Sequence, residues 1–134
     1  MGVNRYLLDT HAVLWLAADP GQMPPTLLAT LADPNVELLI SAASAMEVAT
    51  KLRTGKLPQE FATLVPAWAA MVRDLRAREL TITSQHALLA GTMPWEHRDP
   101  FDRFLVAQAM TENLTLVTCD ENIRAYRLVS VLWV

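Results

Sequence analysis

Apolar residues in this chain fall into short runs separated by prolines, glycines and acids. RYLL (Arg5–Leu8), ELLI (Glu37–Ile40), LTIT (Leu80–Thr83) and TLVT (Thr115–Thr118) are too short for stable helices and predict strands, with a fifth over Leu128–Leu132. Between them the apolar spacing changes to three and four. His11–Ala18 predicts a short helix closed by Asp19-Pro20-Gly21, and Pro24-Pro25 open another that runs to Ala32. Ser41–Arg53 predicts a helix stopped by Thr54-Gly55. Phe61, Leu64, Val65, Trp68, Met71, Val72 and Leu75 recur at helical spacing, so one long helix is expected from Gln59 to Ala77. Ser84 caps a helix to Ala90, and residues 91–100 read as a loop. Pro100–Glu112 is a helix apolar on most sides and therefore buried. Strands alternating with helices imply βαβ crossovers. The expected fold is α/β, with a mainly parallel sheet of four to five strands between two helical layers.

Composition narrows this further. The 134 residues suit one domain. A hydrophobic fraction of 52% and a charged fraction of 19% describe a globular chain with a real core. The formal charge of −3 gives no support to a broad basic surface for nucleic acid. It does not exclude a nuclease, since acids gathered at a metal site count against the total until the metal binds. Cys119 is the single cysteine, which excludes an internal disulfide. The apolar start is interrupted by Asp9, Thr10 and His11, and no run reaches the roughly 18 apolar residues of a membrane span. A soluble, cytoplasmic protein is expected.

The acids carry the chemistry. Ligands of an open parallel sheet sit beyond the carboxyl ends of its strands. Asp9 and Asp120 directly follow the first and fourth predicted strands. Glu47 lies one turn into the helix after the second strand, and Asp102 lies in the first turn of the helix leading back to the fourth. Four carboxylates are thus sent to one edge. Each also has a capping reading, worth about 1 kcal/mol. Asp9 suits a turn, Ser44-Ala45-Met46-Glu47 spells a capping box, Asp99 precedes a proline at the first helical position, and Asp120 can cap a turn. Convergence changes the balance. Two carboxylates at 4 Å repel by about 4 kcal/mol at an effective dielectric near 20. A divalent cation offsets several such terms, and a cap does not. Hard oxygen donors without a cysteine or histidine cluster point to Mg²⁺ or Mn²⁺. In HRDPFDR, then, Asp99 starts the helix and Asp102 projects into the metal site.

LLDTHAVLW, SAASAMEVATKLRTGKL, HRDPFDRFLVAQA and LVTCDEN, in that order over nearly the whole chain, resemble PIN-domain proteins. More narrowly, they resemble the VapC-type ribonuclease toxins of toxin–antitoxin pairs. The resemblance implies a three-layer α/β/α PIN domain over residues 1–134. It implies Asp9 and Asp102 as principal ligands of Mg²⁺ or Mn²⁺, with Glu47 and Asp120 binding metal or orienting water. Thr118 matches a small hydroxyl common before the last acid. Endonucleolytic cleavage of single-stranded RNA, silencing by a small VapB-like antitoxin and a homodimer are also implied. Exposed apolar residues such as Trp15 and Leu16 would suit the dimer. Two positions depart from the family's habit: Met46 stands where tryptophan is common, and Cys119 where a basic residue is frequent.

Lys51, Arg98 and Arg103 are candidates for steering RNA phosphates, against ordinary pairing with nearby acids. Trp95, in the loop beside the acids, is the tryptophan best placed to stack on a base. A receiver-type phosphoacceptor would need an acid pair after the first strand, and a haloacid-dehalogenase-type phosphatase a second aspartate at position 11; the chain has Thr10 and His11 there. A catalytically inactive PIN-like binding module and a metal-dependent nuclease acting on DNA remain as alternatives.

Overall fold

A computed structural model describes residues 4–133. Five strands form one wholly parallel sheet: β1 (Arg5–Leu8), β2 (Glu37–Ser41), β3 (Ala77–Leu80), β4 (Thr115–Thr118) and β5 (Val131–Trp133). Their order is β3-β2-β1-β4-β5. The strand order reverses between β1 and β4, which places the ligand crevice of such a sheet at their carboxyl ends. Seven α-helices connect the strands: α1 (Thr10–Ala18), α2 (Pro25–Ala32), α3 (Ala42–Arg53), α4 (Trp68–Asp74), α5 (Ser84–Thr92), α6 (Pro100–Thr111) and α7 (Glu121–Ala125). No helix among the described residues is long and apolar enough to cross a membrane.

The strand residues sort by the two-residue period of a pleated sheet. Leu8, Leu38, Ile40 and Val117 pack on one face with Val13, Leu27 and Met71 of α1, α2 and α4. Leu7, Leu39 and Leu116 face the other way, onto Leu105, Val106 and Ala109 of α6 and Ile123 of α7. This gives the α/β/α sandwich anticipated from the alternation of runs. It also explains why the central strands are apolar at consecutive positions: both faces are covered. A smaller cluster of Leu14, Val48 and Leu52 ties α1 to α3 beside the sheet.

Several expectations are corrected; the fifth strand, for one, is Val131–Trp133 and not Leu128–Leu132. The long helix from Gln59 to Ala77 is two pieces, a 3₁₀ segment over Gln59–Leu64 and α4. Pro66 lies between them, lacks an N–H and cannot continue a helix past the carbonyl four residues back. The third strand is Ala77–Leu80, not Leu80–Thr83. Arg76 ends α4 with φ 56°, turning the chain directly into the strand. Its partner β2 stops at Ser41, opposite Leu80. Residues 81–83 therefore have no strand to pair with and are exposed, and Thr83 instead forms a capping box with His86 at the start of α5. That helix runs on through Gly91 to Thr92, beyond the expected end at Ala90. Trp15 and Leu16 are half-buried against the α1–α2 face. Among the described residues, the freely exposed large apolar side chains are Met46, Val65, Ile82, Leu88 and Leu128. Met46 projects to solvent, so its departure from the family's tryptophan leaves the core unaffected.

Candidate metal and active site

Three of the acids at the carboxyl edge are helix N-caps, and the capping geometry is what aims them. Asp9 caps α1, accepting from the Ala12 amide through Oδ1 at 3.0 Å. Asp99 caps α6, accepting through Oδ1 from the Phe101 and Asp102 amides at 2.9 and 3.2 Å. Asp120 caps α7, accepting through Oδ1 from the Asn122 and Ile123 amides. In each case the cap engages one carboxylate oxygen and leaves Oδ2 for another partner. Capping and site formation are therefore the same arrangement, not competing explanations. Glu47 is placed differently. Ser41 caps α3, so Ser44 to Glu47 is not a capping box; both side chains lie buried further along the helix.

Asp9, Glu47, Asp99, Asp102 and Asp120 line one cavity with Thr10, His11 and Lys51. Its volume is about 60 Å³, enough for a small ion and a few waters. Burial, reinforced by the charges of Asp99, Asp120 and Glu47, pushes the Asp102 carboxyl up to about 6 despite its hydrogen bond with His97. Burial also raises Asp9, against the hydrogen bonds from Thr118 and Ala12. The lining lysine does not neutralise this excess, because Lys51 Nζ sits 2.7 Å from Glu47 Oε2. Burial works against the Lys51 ammonium, but Glu47 outweighs it and holds its pKa above the usual value. Acids whose pKa values are raised by burial and by neighbouring carboxylates, as at Asp9 and Asp102, are what a cation-binding set looks like before the cation's charge is included.

The remaining expected residues divide. Thr118 belongs to the cluster: its hydroxyl donates to Asp9 Oδ2 at 2.5 Å and accepts from the Asp120 amide at 3.0 Å, joining the ends of β1 and β4. Lys51 faces Glu47. Arg98 is exposed. Arg103 is corrected from a phosphate contact to a loop brace. It donates to the carbonyls of Ala90, Met93, Trp95 and His97 at 2.7, 2.8, 2.5 and 2.9 Å, leaving little of the guanidinium for an anion. Lysine cannot span four carbonyls from one nitrogen. Arg103→Lys is expected to cost about 2 kcal/mol or more, read as a lower melting temperature with faster proteolysis between residues 93 and 99. Unchanged melting would mean that the loop is held by other contacts. Cys119 is half-buried, and burial together with the Asp9 charge pushes its thiol up, so it is not a reactive thiolate.

Several site residues escaped the sequence reading. Thr10 Oγ1 donates to Glu47 Oε1 at 2.5 Å and lies 3.1 Å from Ser44 Oγ, orienting the glutamate from α1. The signal was present as Asp-Thr at a strand end, but only the aspartate was weighed as a site residue. Asp99 lines the cavity as well as capping, and its cap role concealed this. His97 Nε2 lies 2.7 Å from Asp102 Oδ2; His97, Asp99 and Asp102 offer ligand atoms within 4.8 Å of one another. Deeper in, Gln108 accepts from Ser41 at 2.5 Å and donates to the Thr81 carbonyl at 3.2 Å, pinning α6 to the ends of β2 and β3. His86 Nδ1 accepts from the Thr83 amide at 3.0 Å, so Nε2 carries the proton toward Glu112, 3.2 Å away.

Comparison with known proteins agrees with this geometry. The chain is 28% identical over 126 residues to ribonuclease VapC22 of Mycobacterium tuberculosis, covering 93% of this chain and 94% of the relative. Its fold is similar to a chain of VapBC2 from Rickettsia felis bound to a promoter DNA fragment, with a TM-score of 0.68, 15% identity, and 96% and 97% of the two chains covered. It is likewise similar to a chain of FitAcB from Neisseria gonorrhoeae, with a TM-score of 0.66, 18% identity, and 95% and 96% covered. The PIN domain model matches residues 6–128, a span that contains every acid of the cavity, and on that match the chain belongs to the PIN domain family.

Proposed function

We propose that this protein is a divalent-metal-dependent endoribonuclease that cuts single-stranded RNA and acts as the toxin of a cytoplasmic toxin–antitoxin pair. The carrying observation is the single cavity lined by Asp9, Glu47, Asp99, Asp102 and Asp120, in whose wall, among the described residues, the one lysine is paired with Glu47. The donors are oxygen throughout, apart from neighbouring histidines, which fits Mg²⁺ or Mn²⁺. Asp9 and Asp102 would be the principal ligands, with Glu47 and Asp120 completing the set. When bound, such an ion supplies positive charge to a phosphodiester and makes a coordinated water more acidic.

The chain's own residues supply the rest. Thr10 and Lys51 hold the two oxygens of Glu47, fixing a carboxylate that can accept a proton from the attacking water. Thr118 fixes Asp9, and His97 fixes Asp102. RNA as substrate is supported by the similarity to ribonuclease VapC22; the acids themselves do not sense a 2′-hydroxyl. Labelled single-stranded RNA and DNA incubated with Mg²⁺, Mn²⁺ or EDTA test both points. RNA should be cut with either ion and left intact in EDTA, and DNA should be spared. Cutting in EDTA removes the metal, and equal cutting of DNA removes the RNA preference.

An antitoxin segment bearing Arg or Lys would fit the acidic cavity and occlude it. Solved relatives of this fold are VapBC complexes, which supports a small VapB-like partner here. Co-expression with the adjacent small reading frame should yield an inactive complex, and light scattering of the isolated chain should give a homodimer.

A further inference from the structure

Beside the acidic cavity lies a second, larger one of about 550 Å³, whose wall includes Trp95, Glu96, His97, Asn122 and Tyr126. The Trp95 ring is stacked on Tyr126, with centroids 4.9 Å apart and planes at 26°. It is also 4.8 Å from His97, at 37°. The three rings make one aromatic array. Its last member is bonded to Asp102 at 2.7 Å, so the array runs up to the acids. Its position is rigid, since Arg103 holds the carbonyls of Trp95 and His97. The wall also includes the start of α7, where Asn122 sits two residues after Asp120. Asp120 engages the Asn122 backbone amide, while the Asn122 side chain lies at the exposed surface.

Among the described residues the lining contains no lysine or arginine, so it is not a seat for phosphate. It offers flat rings, an amide that both donates and accepts, and the carboxylate of exposed Glu96. A flat, polar, uncharged group suits that combination. We propose that this cavity is a nucleobase subsite, holding the base of a nucleotide next to the phosphate at the acids. This rests on the nuclease reading for its substrate. Glu96 accepts hydrogen bonds and donates none, so it favours a base with an exocyclic amino group. Cytosine N4, adenine N6 and guanine N2 provide one, whereas uracil has none and presents the O4 acceptor in its place. The subsite therefore prefers cytosine, adenine or guanine to uracil.

The test has two arms. In the first, the wild-type protein is titrated with cytidine, adenosine and uridine and followed by NMR. The Trp95 indole and Asn122 side-chain amide signals should move with cytidine and adenosine and move less with uridine, and Glu96→Gln should narrow that difference. In the second, cleavage of short RNAs is measured for Trp95→Ala, Asn122→Ala and Glu96→Gln. Base stacking predicts a rise in KM of about tenfold for Trp95→Ala with a smaller change in kcat. Trp95 also packs against the core. If its variant unfolds, the exposed positions Asn122 and Glu96 decide the second arm through a changed preference among flanking bases. Nucleosides that leave both signals in place, or folded variants with wild-type KM and base preference, overturn the subsite. A wild-type protein that binds nucleosides there but cuts no RNA overturns the nuclease reading and leaves the subsite standing.

Discussion

Asp102→Asn and Asp9→Asn should each lower RNA cleavage at least about a hundredfold, or roughly 2.7 kcal/mol in the barrier, in protein that remains folded. Asparagine keeps the shape of each side chain. At position 9 it keeps the oxygen that caps α1, and at position 102 it keeps an acceptor near His97. What disappears is the negative charge in a cavity whose proposed task is to hold a divalent cation. Folding is checked by circular dichroism and cleavage by single-turnover assay across a Mg²⁺ series. Extra Mg²⁺ should recover part of the lost rate only if the remaining acids still bind it. Near wild-type turnover in either folded variant would remove that aspartate from the site.

The same cavity should make the metal-free protein sensitive to pH, in the opposite sense to ordinary acid denaturation. The Asp102 carboxyl titrates at about 6 in the folded chain against an ordinary value of 3.8. The folded state therefore binds a proton that the unfolded state has released. Stability falls as pH rises from about 4 to about 6, and the full penalty stands above that. The gap corresponds to something on the order of 3 kcal/mol, and raised Asp9 acts in the same direction. In EDTA the melting temperature should thus rise by several degrees as pH is lowered from about 7 to about 4.5. Mg²⁺ or Mn²⁺ at neutral pH should produce a similar rise, since a cation relieves the same crowding. Asp102→Asn should be more stable than wild type without metal at neutral pH and should lose most of both responses. A melting temperature that only falls on acidification would show that the acids are not crowded in solution. On the expected outcome, the variant that abolishes cleavage is the more stable protein without metal, the usual exchange of stability for function at a site of crowded charges.

Where the sequence reading held and where it slipped follows from what each signal depends on. The central strands were visible because burial on both faces forces runs such as RYLL, ELLI and TLVT to be apolar, whatever else surrounds them. The edge strand β3 was misplaced because an edge carries no such constraint. Arg78 and Glu79 are exposed there, while LTIT looks more strand-like but has no partner beyond Ser41. The helix over residues 59–77 was overextended because periodicity was weighed without Pro66. Among the acids, adjacency to strand ends identified Asp9 and Asp120, and helix starts identified Glu47 and Asp102. Asp99 was set aside as a cap because one sufficient role looked exclusive of a second.

By itself the sequence determined the alternation of strands and helices, the parallel sheet, and the delivery of four acids to its carboxyl edge. Those follow from local periodicity and from the chain's limited means of connecting parallel strands. Only the tertiary structure decided the strand order that sets β1 beside β4, and with it the meeting of Asp9, Thr118 and Asp120. Only it could show Arg103 turned from substrate to loop carbonyls, or Trp95, His97 and Tyr126 drawn into one array from two separate segments. The reason is range. Periodicity and capping are written within a few residues, whereas the partners of a charged or aromatic side chain are chosen among groups distant in the chain, by whichever arrangement of packed layers brings them close.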